Sequence, residues 1–381
     1  VSEPVPESLP AAVERHLSAL VVGDPARHPG RPGNTAANDY VEAELVAHGW
    51  ALESVDFEVL DAELGPASLT VDGRPFEVLP GPYTVPVRTS GTLLPIDTLA
   101  ALESTSIEGA LVLLHGEIAA DQLFPKSFDF IEAPEHRRIY ELLEAGSPAA
   151  ILGATGRGGG MGGGLYPYPL IEDGDFDLPN AYTTDVIGEQ LAPLSGKEAV
   201  LEIESRRLSL PARQLTARRG PQGAPRAIVM AHIDSKGGSP GALDNATGVA
   251  ALLGTAQLLA EYDGPYLVEL IPMNGEDYYA NTGEHLFVAA NEGRWDELLG
   301  TVNMDAIGSR GASTAVSMYA VTERGDELIR RVVRRHARVS IGEEWFESDH
   351  SIVAGHGRPA VAMTSTDFRR LCETVTHTDK D

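Results

Sequence analysis

In the C-terminal half of this 381-residue chain, residues able to bind a metal ion or move a proton recur in five short motifs. Ala231-His232-Ile233-Asp234-Ser235 ends an apolar run, and Pro240-Gly241-Ala242-Leu243-Asp244-Asn245-Ala246-Thr247-Gly248 opens a helical pattern. Asn274-Gly275-Glu276-Asp277 follows the run ending at Met273, Asn303-Met304-Asp305 closes another, and the chain ends on His377-Thr378-Asp379-Lys380-Asp381. A hydrolytic pair of zinc ions needs about four protein ligands mixing imidazole with carboxylate, one carboxylate bridging the ions, and an open position for water. His232, Asp244, Asp277, Asp305 and His377 supply that inventory. A further carboxylate must take a proton from the water, and Glu276 stands beside Asp277 with no other evident duty. The one cysteine, Cys372, excludes a disulfide framework and any multi-cysteine zinc site, so a metal here falls to His and carboxylates. Each motif also has a plainer reading: a hydrogen-bonded turn at His232, a helix N-cap at Asp244, a solvated pair at Glu276-Asp277, a loose tail at His377. The plain readings fail together, because order and strand-end placement agree throughout.

The elements that must position these residues read as an α/β sheet of mostly parallel order flanked by helices. Strands are expected at Ala227–His232, Leu267–Met273, Thr301–Asp305, Ala315–Tyr319 and Ala360–Ser365, and helices at Gly248–Tyr262, Glu284–Asn291 and Asp326–Arg338. In such sheets sites gather at the carboxyl ends of the strands. Two amphipathic helices, Ala11–Val22 and Asn34–His48, are expected near the N-terminus, with Asn34 or Thr35 as an N-cap after the turn-rich His28–Gly33. Short strand patterns at Ala67–Val71, Gly91–Pro95 and Ala110–His115 suggest a β-rich unit, interrupted by a helix at Glu135–Ala145 that leads into the strand Ala149–Leu152. Gly153–Gly164 carries eight glycines in twelve positions. It reads as a flexible surface loop rather than a phosphate cradle, since no Lys-Ser/Thr follows.

Composition narrows the partners. Lys and Arg number 29 against 56 Asp and Glu, a net charge of −27, which argues against nucleic acid and against docking on an anionic leaflet. No apolar run is long enough to span a membrane. The 43% hydrophobic content supports a folded core beneath a strongly acidic surface.

Taken with the N-terminal His28-Pro29-Gly30-Arg31-Pro32-Gly33-Asn34, Ala36-Ala37 and Tyr40-Val41, the five motifs resemble those of the zinc-dependent M28 peptidases. The resemblance covers about residues 10–60 and 206–381. The stretch between looks like a protease-associated (PA) insertion, on Gly109–Leu113 and Ala145–Leu152. It implies a zinc-peptidase-like α/β/α catalytic domain built from 1–60 and 206–381, with an inserted β-rich PA-like domain at 61–205. It further implies two Zn2+, one held by His232 and Asp305, the other by Asp277 and His377, with Asp244 between them. Glu276 becomes the general base and Asp234 the residue that orients His232. Ser348-Asp349-His350 also resembles a family motif, making His350 either a substrate-pocket group or a satisfied loop histidine. His285 and His336 read as surface residues and Cys372 as a small buried side chain.

Two departures stand out. The family usually has Glu where this chain has Asp277, which leaves the identity of the second metal open, and it usually continues into a closing helix beyond the position of Asp381. The implied activity is removal of N-terminal residues from peptides. Other zinc-dependent amide hydrolases (carboxypeptidase or small-molecule amidase) and an inactive receptor-like homologue are the alternatives. Location is open between cytoplasm and secretion, the latter with a signal segment upstream of Val1.

Overall fold

The structure is a computed structural model that describes residues 7–21, 26–128, 133–158, 160–279 and 282–381. They divide into two compact units, one formed by Val1–Glu58, Pro211–Arg370 and Thr376–Asp381, the other by Val59–Leu210 and Leu371–Val375.

The first unit is built on a mixed sheet whose central strands run parallel in the order Ala360–Ser365, Leu298–Met304, Arg226–His232, Leu267–Met273. Thr314–Tyr319 joins the outer side of Ala360–Ser365 antiparallel, followed by the short parallel strand Val339–Ile341. On the other side, Ala217–Arg219 pairs antiparallel with Leu267–Met273. Leu267–Met273 is buried at every position, as its unbroken apolar run requires of a strand covered on both faces. Helices Leu9–Val21, Pro32–Ala47 and Thr247–Leu258 contribute Leu20, Val41, Leu45, Val249, Leu252 and Leu253 to one core with Leu270 and Ala231 of the strands. Each of these large side chains stabilises the fold by about 1.5–3 kcal/mol on burial.

The helix expected at Asn34–His48 begins two residues earlier, at Pro32, with Arg31 as the N-cap residue and no side-chain cap. Pro32 sits where a missing N–H costs nothing. Asn34 is therefore free for another task, described below. The helix expected at Asp326–Arg338 begins at Glu323, because Thr322 caps it by accepting from the Gly325 amide at 3.2 Å. Val22, the end expected for the first helix, lies outside the described residues.

The second unit is more helical than its sequence pattern suggests. Four parallel strands, Val87–Ile96, Leu111–Leu114, Ala150–Thr155 and Asn180–Thr184, form its centre. Glu198–Thr92 pairing and its neighbours add an antiparallel edge, and Leu79–Pro80 adds the other. Helices Leu99–Ser104 and Asp185–Leu191 are too short to leave a periodic signal, and each starts on a threonine cap, Thr98 or Thr184. The glycine-rich stretch is not a bare surface loop. Its first residues belong to the strand Ala150–Thr155, and Gly162 is buried so closely that a Cβ would lie 2.7 Å from that of Tyr168.

Candidate metal centre

The parallel order places the ends of three neighbouring strands on one edge of the sheet, with Met273 in register with His232. His232 ends one strand, Asn274–Asp277 follow the next, and Asp305 follows Met304. Asp244 lies in the turn that feeds the helix Thr247–Leu258. Gly241 opens that turn at φ +61°, with Ser235, Arg27 and the Asp244 carbonyl all within 2.7 Å of where a Cβ would stand. The turn is pinned further by Asn245, which donates to the Met304 carbonyl (2.8 Å) and accepts from the Gly248 amide (2.9 Å). The carboxylate of Asp381 accepts from the Leu243 and Asp244 amides, which explains why the last residues fold back over the site.

These elements bring all five sequence-predicted metal ligands and Glu276 together. His232 Nε2 lies 3.0 Å from Asp244 Oδ1, 3.4 Å from Asp305 Oδ1 and 3.8 Å from Glu276 Oε2. His377 Nε2 lies 2.9 Å from Asp277 Oδ1 and 3.5 Å from Asp244 Oδ2. The two oxygens of Asp244 thus face different histidines, and two clusters, His232/Asp244/Asp305 and Asp244/Asp277/His377, share it.

Two features fit this donor set to divalent cations. Both ring nitrogens of His232, Nδ1 of His377 and Oδ1 of Asp305 are buried without a hydrogen-bond partner among the described residues, although complementary atoms stand close. Four carboxylates around two imidazoles also leave an excess of buried negative charge. Burial opposes protonation of both histidines, yet Glu276 and Asp305 push His232 well above the ordinary range, and Asp277 and Asp244 push His377 up to about 10. Glu276 is also raised well above the carboxylate range, by burial first, with Asp277, Asp305 and Asp349 adding repulsion against the pull of His232. A bound cation would relieve the same excess.

Asp234 holds a wider role than orienting one imidazole. Its Oδ1 is 3.7 Å from His232 Nδ1, beyond hydrogen-bond length, while the carboxylate accepts from the amides of Gly275 (2.9 Å), Glu276 (3.3 Å) and Asp277 (3.0 Å). It clamps the loop that carries Glu276 and Asp277. The short side chain of Asp277 is met by the loop after His232: the Lys236 amide donates to Oδ2 at 3.0 Å, leaving Oδ1 toward His377.

His350 is fully buried between the rings of Tyr319 and Trp345. Nε2 donates to the Trp345 carbonyl (2.8 Å), and Nδ1 accepts from the Asn303 amide group (3.3 Å). Both ring nitrogens are engaged by the protein. His285 and His336 are exposed, and Cys372 is half-buried rather than enclosed.

Four site residues escaped the sequence reading. Asp349 and Glu284 are buried acids whose Oδ1, Oδ2 and Oε2 atoms lack hydrogen-bond donors among the described residues. Burial and repulsion from Asp349 raise Glu284 well above its usual value, and burial pushes Asp349 up to about 7. Arg27 and Asn274 are the other two. Asp349 and Asn274 did carry a signal, their places in Ser348-Asp349-His350 and Asn274-Gly275-Glu276-Asp277, whereas Glu284 and Arg27 carried none.

Residues 215–381, which hold every residue of the two clusters, match the model of peptidase family M28. The chain is also 29% identical over 263 residues to the probable lipoprotein aminopeptidase LpqL of Mycobacterium tuberculosis, a match covering 64% of this chain and 48% of that protein, so the match spans about half the relative's length. Among solved structures, an aminopeptidase from Aneurinibacillus sp. strain AM-1 superposes with a TM-score of 0.75 at 18% identity, covering 97% of this chain and 87% of the other. BSAP, a zinc aminopeptidase from Bacillus subtilis, gives 0.73 at 17% identity, covering 100% and 90%. The mixed α/β fold, with its large sheet flanked by helices, is shared with these two aminopeptidase structures.

The enclosure of His350 carries a pH prediction. Protonating Nδ1 would aim a second donor at the Asn303 amide, and burial already holds the ring down to about 4. The unfolded chain takes up the proton first, near 6.5, so this stability is complete above that pH and is lost as the pH falls toward 4. The difference corresponds to about 3 kcal/mol. Urea unfolding between about pH 7 and pH 4 should show the wild type losing that much more than His350→Gln. Equal losses would mean the ring is not held neutral.

Proposed function

We propose that this chain is a metallo-aminopeptidase with a dinuclear zinc site. The observation that carries the reading is the division of Asp244 between two histidines, each with its own further carboxylate, Asp305 or Asp277. His232 and Asp305 would hold one ion, Asp277 and His377 the other, and Asp244 would bridge them. Bound there, the ions lower the pKa of a water and polarise an amide carbonyl. Glu276, with Oε2 3.8 Å from His232 Nε2, takes the proton of the attacking water and returns it to the departing amine. Asp234 holds Glu276 in place through the loop amides.

The names of LpqL and of the two structural relatives support peptides as substrates and zinc as the metal. Intact ligand positions and an intact Glu276 favour catalysis over a binding-only role. Residues 61–205 would be a PA-like insertion within the sequence of the catalytic domain formed by 1–60 and 206–381. No helix among the described residues is long and apolar enough to cross a membrane.

The test is metal content together with hydrolysis. The protein should hold about two zinc ions per chain. It should release the anilide from aminoacyl-anilides bearing a free amine and stop doing so on chelation. A protein that takes up no zinc, or whose hydrolysis ignores the chelator, would sink the reading.

A further inference from the structure

Arg27 lies far from the ligand motifs in sequence and is fully buried beside them. Its guanidinium donates through Nε to the Ile233 carbonyl (2.9 Å), through Nη1 to those of Pro240 (2.9 Å) and Leu20 (3.3 Å), and through Nη2 to that of Gly241 (2.6 Å). Its amide donates to Ser235 Oγ at 3.1 Å. Ile233 follows His232, and Gly241 stands three residues before Asp244, so one planar fork holds both ends of the loop joining these two ligands. The Arg27 carbonyl accepts from Asn34 Nδ2 (2.9 Å), and the Asn34 amide group exchanges two hydrogen bonds with that of Asn274 (2.9 and 3.1 Å), at the head of the Glu276-Asp277 loop. Arg27 thus ties the N-terminal segment to both ligand loops.

Burying a guanidinium costs several kcal/mol unless its charge is compensated. Burial indeed pulls Arg27 below its usual range, while Asp234, Asp381, Asp244 and Asp277 work in the opposite sense. A neutral amide would satisfy fewer of these carbonyls. A lysine has the charge but not the fork.

We propose that Arg27 is a positioning residue of the metal centre, its buried fork on the Ile233, Pro240 and Gly241 carbonyls setting the separation of His232 and the bridging Asp244. The proposal rests on the dinuclear reading above. The separation of these two ligands then follows from contacts made by a residue more than two hundred positions upstream.

The test uses the full chain and zinc binding, with activity as a secondary readout. Arg27→Lys should weaken zinc binding by about 10–100-fold, the usual effect of removing a partner that orients metal ligands. Arg27→Gly should lose zinc similarly and regain it in millimolar guanidinium, which refills the fork, but not in methylammonium. If Arg27→Gly does not fold, Arg27→Lys carries the test, with its unfolding midpoint measured in chelator as a control for stability. A folded Arg27→Lys protein with wild-type zinc affinity, or a variant whose midpoint falls while its zinc affinity stays unchanged, would assign Arg27 a purely structural role. Wild-type protein that binds no zinc would instead overturn the dinuclear reading itself, and this proposal with it.

Discussion

Glu276→Gln is expected to lower kcat by about 10²- to 10⁴-fold and leave zinc content unchanged, since it removes a proton acceptor and no ligand. The amide is nearly isosteric, and the loop amides that donate to Asp234 are untouched. The loss should fall on kcat more than on KM, because proton transfer belongs to the transition state and not to substrate binding. Glutamine also removes one half-buried carboxylate from a site crowded with acids, so the metal-free variant should be no less stable than the wild type. Steady-state kinetics with an aminoacyl-anilide, beside metal analysis of the same preparation, reads both quantities. Retention of most of the activity would show that another group takes the proton.

Asp244→Asn is expected to reduce zinc from about two ions per chain to one or fewer, with turnover falling at least as far as in Glu276→Gln. An amide offers one acceptor oxygen where the carboxylate offers two, and its NH2 group must face either His232 or His377, where it can only donate. In the wild type the Asp244 carboxyl is held far below its usual range despite its burial, because both histidines favour its anion. The asparagine cannot supply that charge to either side. Metal analysis after exhaustive dialysis decides the outcome, with circular dichroism to establish folding. Two zinc ions retained per chain would mean that Asp244 does not bridge.

Much of this site was legible in the sequence because a parallel sheet converts chain order into position. An apolar strand that must be buried on both faces ends where polar residues resume, and neighbouring parallel strands end on the same edge. His232, Asp277 and Asp305 could therefore be assigned to one place from their motifs alone. The strand Leu267–Met273 has the very bounds its apolar run suggests. Elements set by capping rather than by periodicity were harder to read. The helix at Glu323–Val333 starts earlier than its apolar spacing indicates because of Thr322, and the short helices after Thr98 and Thr184 left no pattern at all.

The sequence by itself determined which side chains were available for metal and proton chemistry, and on which edge of the sheet they would lie. Only the tertiary structure decided how they are divided and held: Asp244 between two histidines, Asp234 on three loop amides, Arg27 on the carbonyls flanking the His232–Asp244 loop. The same applies to Asp349 and Glu284, buried acids from separate elements. The physical reason lies in range. Strand ends are a local property of hydrophobic pattern, whereas a hydrogen bond from Arg27 to Gly241 depends on how segments more than two hundred residues apart pack, and neither residue's neighbours in sequence record it.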